Sequence, residues 1–319
     1  MNKIKSKKII VVSLMGVFLF GAIYSGVSRN RDELHKNNKK QNAMEEVKEK
    51  IENNKKEDTP KEARYIQYKL DNKLLEKDIY DAMENKKLSW WIKRNNDHVK
   101  SEYDTSINLN ECGAYCVDER VYDASSKKYN EKVMYLTFDC GYDNGLTEKI
   151  LDVLKEYNVP ACFFVTKTYI RDNIELTKRM KAEGHQVGNH TCMHPSLPDE
   201  NFDKIVEEID GCATYMKEAT GYEMDPYFRP PKGEYSKRVL NISKDMGYKN
   251  IFWSIVYYDY DLNKQPGKDY VINHFEKFNH SGAIILMHNI SSSNEEALET
   301  VIKNMIAKGY RFASLNELE

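Results

Sequence analysis

"VMYLTFDCGYDNGLTEKILDVL" (133–154) decides the architecture of this chain. Its first six residues form an apolar strand that ends abruptly on a carboxylate, Asp139. Cys140 and a glycine-bearing turn follow, and then Leu146, Ile150, Leu151 and Leu154 recur at helical spacing. Strand, turn and helix together make one β/α unit.

The unit repeats downstream. "ACFFV" (161–165) is a second strand, with a helix after it that ends near Gly184, and "QVGNH" (186–190) is a third. From about Asp199 to Ala219, Phe202, Ile205, Val206, Ile209 and Met216 share one helical face, and Gly221 stops the helix. "YFR" (227–229), a helix to Met246, "IFWSIV" (251–256), a helix near 268–278, "AIILMH" (283–288), a helix near 294–308 and "RFASL" complete the pattern. About seven strands alternating with six helices predict an α/β fold with a parallel sheet and helical crossovers. Periodicity alone leaves open a doubly wound sheet or an incomplete (β/α) barrel.

Composition narrows the setting. The 319 residues are 40% hydrophobic and 31% charged with net charge −2, which leaves no nucleic-acid footprint. Lys3, Lys5, Lys7 and Lys8 precede an apolar run from Ile9 to Val27, long enough as a helix nearly to cross a bilayer core of about 30 Å. Residues 1–27 are therefore expected to be a signal-anchor or signal peptide, and the protein to be exported, tethered to the membrane or secreted. Residues 28–64 read as a charged stalk, 65–130 as an N-terminal extension packing on the main domain, and 131–319 as that main domain. Cys112 and Cys116 lie close enough for a disulfide, but nothing in the spacing fixes one, while Cys162 and Cys212 read as packing residues.

The polar residues that break the apolar pattern fall just past strand ends. Asp139 follows the first strand, His190 the third, Arg229 the fourth, Asp259 the fifth and His288 the sixth. In barrels and open parallel sheets that edge binds ligands. "HTCMHP" spaces His190 and His194 four apart, so two imidazoles can aim at one divalent ion, with zinc or a similar metal suited to them. "FRPPKG" carries Arg229 into a stiff double-proline turn able to hold a guanidinium against a carboxylate and to present backbone N–H groups.

The ordered motifs T-F-D, H-T-x-x-H-P, R-P-P-x-G, D-Y in place of the usual D-W, and L-M-H resemble those of the NodB-homology polysaccharide deacetylases over about 131–319. The chain is most similar to the spore-cortex muramic-δ-lactam de-N-acetylases. "SWWIKRNNDH", "TFDCGYDNG", "FRPPKGEYSKRVLNISKDMGYKNIFWSIVYYDYDLNKQ" and "NEEAL" carry that likeness back to about residue 87.

The resemblance implies an irregular, incomplete (β/α) barrel that removes acetyl from N-acetylmuramic acid in peptidoglycan, leading to muramic δ-lactam in spore cortex. The alternatives are a deacetylase of N-acetylglucosamine in wall glycan or chitin-like oligomers, and an inactive wall-binding relative. By the same resemblance His190 and His194 hold the metal, Asp139 is the general base, Arg229 keeps it ionised, and the backbone N–H of Lys232 completes an oxyanion hole. His288 matches the general acid and Asp259 the carboxylate that orients it, while Tyr260 and Pro231 would line the substrate. The family's second aspartate of T-F-D-D, a metal ligand, is Cys140 here, which we read as a neighbour and not a required ligand; Asp139 and Cys140 are the further candidate ligands. Peptidoglycan strands are the expected partner, the forespore or cell-wall space the expected location, and a monomer the expected state.

Overall fold

The computed structural model describes residues 75–318, which fall within one compact unit. The expected membrane segment and charged stalk lie outside the described residues. Among the described residues no helix is long and apolar enough to cross a membrane.

The seven expected strands all occur, in one parallel sheet. They are β5 (Val133–Cys140), β6 (Ala161–Val165), β7 (Gln186–Asn189), β8 (Tyr227–Phe228), β10 (Lys249–Ile251), β11 (Ala283–His288) and β12 (Arg311–Phe312). The order is β11-β5-β6-β7-β8-β10, with β12 beside the start of β5 and an eighth strand, β4 (Ala114–Tyr115), parallel to β10. Every residue of β5 is buried, as a central parallel strand covered on both faces requires. Short antiparallel pairs stand apart from this sheet: β1 (Leu88–Ser89) with β9 (Glu234–Tyr235), and β2 (Ile92–Lys93) with β3 (Glu102–Tyr103).

The sheet curls back on itself. Ile255 bridges in parallel to Ile285 of β11, and Leu286 N–H donates to the Ile255 carbonyl at 3.0 Å. Closure therefore rests on a bridge and not on a full ladder, which makes the barrel irregular. The expected single strand 251–256 is split for a related reason. The carbonyls of Ile251 and Phe252 accept from Arg229 Nε and Nη2 at 3.0 and 3.4 Å, so they are turned to a guanidinium and away from a neighbouring strand.

Helices α1 (Lys77–Asp81), α2 (Thr147–Glu156), α3 (Lys167–Asp172), α4 (Ile174–Ala182), α5 (Phe202–Thr220), α6 (Lys237–Asp245), α7 (Lys268–Phe278) and α8 (Ser292–Ala307) complete the element set. The single helix expected before Gly184 is two, α3 and α4, separated at Asn173 (φ −136°, ψ 48°). Helix α5 is capped at both ends: the Asn201 side chain accepts from Lys204 N–H, and Gly221 takes φ 82°. Gly188 permits close strand packing on the inner face, because a Cβ there would sit 2.7 Å from the Phe164 ring.

Residues upstream of the barrel pack against it. Trp90 stacks on Phe252 with ring centroids 4.4 Å apart, and its Nε1 donates to the Trp253 carbonyl. Ile92, Leu109, Cys112, Ala114, Cys116 and Val117 share a buried cluster with Tyr235, Leu240, Phe252 and Leu286. Cys112 and Cys116 are both free and buried, as are Cys162 and Cys212.

Candidate active site

Parallel strands end together, and that common edge collects the polar residues of the sequence. Asp139 and His288 are register partners on β5 and β11, while Asn189 at the end of β7 pairs with Phe228 of β8. His190 and Arg229 are the next residues of those two strands, so four functional groups converge from four strands.

Arg229 is wholly buried and its guanidinium lies 4.2 Å from the centroid of the Phe164 ring. Nη1 donates to Asp139 Oδ1 at 2.7 Å. Burial alone would raise the Asp139 pKa. The charge of Arg229, helped by His190 and His288 when they carry a proton, outweighs burial and holds it below the ordinary carboxylate value.

His190 Nδ1 lies 2.8 Å from the Arg229 carbonyl, which can only accept. The proton is therefore on Nδ1, and the Nε2 lone pair faces Asp139 Oδ2 at 3.6 Å. Burial lowers the pKa of His190 despite Asp139, and burial with the charge of His190 lowers that of His194 to about 4. Both imidazoles are thus neutral near pH 7, with ring centroids 4.8 Å apart.

The loop between them is held in a strained form. Thr191 and His194 both take positive φ, 70° and 58°. Asn189 Oδ1 accepts from Thr191 N–H, Thr191 Oγ1 from His194 N–H, and the buried Glu208 from Met193 N–H. Sequence alone does not single out Asn189 and Glu208, since their partners are set by this loop's geometry.

Across the site, His288 Nδ1 donates to Asp259 Oδ1 at 2.7 Å and its N–H to Oδ2 at 2.8 Å. This leaves Nε2 as the ring nitrogen turned away from Asp259. Burial disfavours the imidazolium, but the charge and hydrogen bond of Asp259 prevail and raise the His288 pKa above its usual value. Tyr260, half exposed, sets its ring 5.6 Å from that of His288 and 4.5 Å from Tyr258.

Pro231 is buried at the start of the turn, and Lys232 takes φ 61°, ψ 6°. Gly233 is required next, because at φ 65° a Cβ would lie 2.8 Å from the Trp253 ring.

Cys140 does not join this group. It alternates with Asp139 along β5 and shares its parity with Phe138, whose carbonyl accepts from its Sγ at 3.8 Å. Burial, with the negative charges of Asp139 and Asp143, pushes its pKa well above the ordinary thiol value.

Among the described residues no three His, Cys, Asp or Glu side chains converge as a metal cage. The donors on offer are two neutral imidazoles, with Asp139 Oδ2 at the edge. That chemistry fits a divalent ion whose remaining positions stay open, not a closed structural site.

Known proteins are similar to this chain in sequence and in fold. The sequence model of the family described as polysaccharide deacetylase matches residues 126–251. The chain is 38% identical over 240 residues to the peptidoglycan-N-acetylmuramic acid deacetylase PdaA of Bacillus subtilis, covering 75% of this chain and 88% of that one. The solved structure of Bacillus subtilis PdaA, a family 4 carbohydrate esterase, matches with TM-score 0.69 at 37% identity, over 74% of this chain and 98% of that one. A peptidoglycan-N-acetylglucosamine deacetylase of Bacillus cereus is 34% identical over 59% of this chain and 89% of its own. A family 4 pseudoenzyme from Bacillus anthracis matches with TM-score 0.55 at 30% identity, over 59% of this chain and 66% of that one. The chain belongs to the polysaccharide deacetylase family. It is a hydrolase acting on amide bonds.

Proposed function

We propose that the protein is a metal-dependent peptidoglycan N-deacetylase that removes acetyl from N-acetylmuramic acid, the step that precedes δ-lactam closure in spore cortex. The carrying observation is the facing of two unlike pairs at one strand edge. Asp139 with Arg229 is held as a base, and His288 with Asp259 is held as an acid. The 38% identity to PdaA over 88% of that protein's length supports muramic acid as the sugar.

In this reading His190 and His194 hold the ion, zinc being the metal that two neutral imidazoles suit. Bound there, it supplies Lewis acidity toward the acetamide carbonyl and the attacking water. Asp139 takes the proton from that water as it adds to the carbonyl carbon. The N–H of Lys232 donates to the oxygen on which negative charge develops. His288 then delivers a proton from Nε2 to the departing amine, and Asp259 balances the imidazolium. Acetate leaves, and the free amine stays on the sugar. Tyr260 and Pro231 wall the sugar.

The N-terminal apolar run would hold this domain, as a monomer, outside the cytoplasmic membrane within reach of the wall. The test is to incubate purified protein with defined peptidoglycan, with and without stem peptides, and to locate the free amine by mass spectrometry. Amine on muramic acid supports the reading. Amine on N-acetylglucosamine would move the substrate to that of the Bacillus cereus relative, and absence of acetate release would place the protein with the inactive relatives.

A further inference from the structure

Asp259 is completely buried, and among the described residues its one ion-pair partner is His288. Both hydrogen bonds between the two come from His288 itself, so that pair alone could shift as a body. A third donor ties it down. Asn294 Nδ2 donates to Asp259 Oδ2 at 2.6 Å and to the His288 carbonyl at 3.2 Å.

Asn294 lies in the first turn of α8, fully buried, with its backbone N–H accepted by Ser291 Oγ. Its amide can face only one way. The NH₂ end meets two groups that only accept, and the carbonyl end accepts from Tyr257 Oη at 2.7 Å. Tyr257 is buried, and burial followed by Asp259 keeps its hydroxyl protonated and therefore a donor. A chain of donors thus runs from Tyr257 through Asn294 to Asp259, fixing acid and orienter to a helix outside the strand edge.

We propose that Asn294 is a positioning residue for deacetylation: it anchors Asp259 and His288 to α8 and so aims His288 Nε2 at the leaving nitrogen, with Tyr257 locking the amide. This rests on the reading of His288 as general acid. The charged and titratable groups facing His288 are Asp259, Asp139, Arg229, His190, His194 and Tyr260; changing Asn294 removes no charge among them and takes a hydrogen-bond donor from Asp259 alone.

The experiment measures acetate release from peptidoglycan freed of stem peptides, across pH, for wild type, Asn294→Ala, Tyr257→Phe, His288→Ala and the double variant His288→Ala/Asn294→Ala. Asn294→Ala is expected to lower kcat by about tenfold or more, part of the ~10²–10⁴-fold that a positioned acid supplies, with KM and bound metal little changed. Its alkaline limb should move to lower pH, because a loosened Asp259 no longer holds the imidazolium. Tyr257→Phe should move the limb the same way by less, and it carries the test should Asn294→Ala fail to fold. The double variant should be no slower than His288→Ala. An unmoved alkaline limb in folded protein, or losses that multiply in the double variant, would overturn the role of Asn294. Wild-type rates in His288→Ala would overturn the general-acid reading itself, and this role with it.

Discussion

Arg229 Nη1 sits 2.7 Å from Asp139 Oδ1, and the guanidinium has no contact with solvent. The two residues are 90 positions apart in the chain and meet because β5 and β8 end on the same rim of the barrel. The pair does more than hold the rim. It sets the protonation of Asp139, and through the Arg229 carbonyl it selects the tautomer of His190.

Breaking that pair should damage fold and activity together. Arg229→Met leaves a buried carboxylate without its cation, and losing one partner of a buried pair costs about 3–5 kcal/mol. Thermal unfolding should show a lower Tm, and acetate release should be lost at neutral pH. A variant with wild-type Tm would show that Asp139 finds compensation elsewhere.

Metal binding should depend on the two imidazoles. His190→Ala or His194→Ala is expected to remove bound divalent ion, measured by elemental analysis, along with acetate release. Chelation of the wild type should abolish turnover, and adding back a divalent ion should restore it. Full turnover after exhaustive chelation would refute metal dependence.

Base and acid should separate from metal binding. Asp139→Asn and His288→Ala should each cost roughly 10²–10⁴-fold in kcat while the ion stays bound. Loss of metal from Asp139→Asn would make Asp139 a ligand before it is a base.

Cys140→Ala should retain both metal and measurable deacetylation, since the thiol alternates with Asp139 along β5 and lies on the opposite face. A cysteine-to-metal charge-transfer band in cobalt-substituted wild type would contradict this placement.

Stability should fall in mild acid because of histidines remote from the site. His185 and His280 are held near a pKa of about 4 and His274 near about 3, in each case by burial first. Their folded values lie below the unfolded value of about 6.5, so the unfolded chain binds more protons between the two. Their contribution is complete above pH 6.5 and declines as pH drops toward 4 and below. Among the described residues neither ring nitrogen of His185 has a hydrogen-bond partner, and its ring meets Phe163 edge-on at 5.5 Å. His185→Phe should therefore raise Tm more at pH 5 than at pH 7, and an equal rise at both would disprove the linkage.

Much of this protein was legible in its sequence. The strand–helix alternation is written in local apolar spacing, and each strand-end residue, Asp139, His190, Arg229 and His288, marks where that spacing breaks. A parallel sheet brings such ends together whatever its closure. Other features belong to the tertiary structure alone. The 251–256 stretch looks like one strand, and it is divided because Arg229 takes carbonyls that a longer strand would have used. Asn294, Tyr257, Asn189 and Glu208 have no individual role legible in the sequence, since each is an ordinary polar residue until a partner 15 to 37 positions away is folded against it. Apolar periodicity reports which side of an element is buried, within a few residues of chain. Hydrogen-bond partners, tautomers and shifted pKa values depend on which distant groups share a small dry volume, and only the closed barrel decides that.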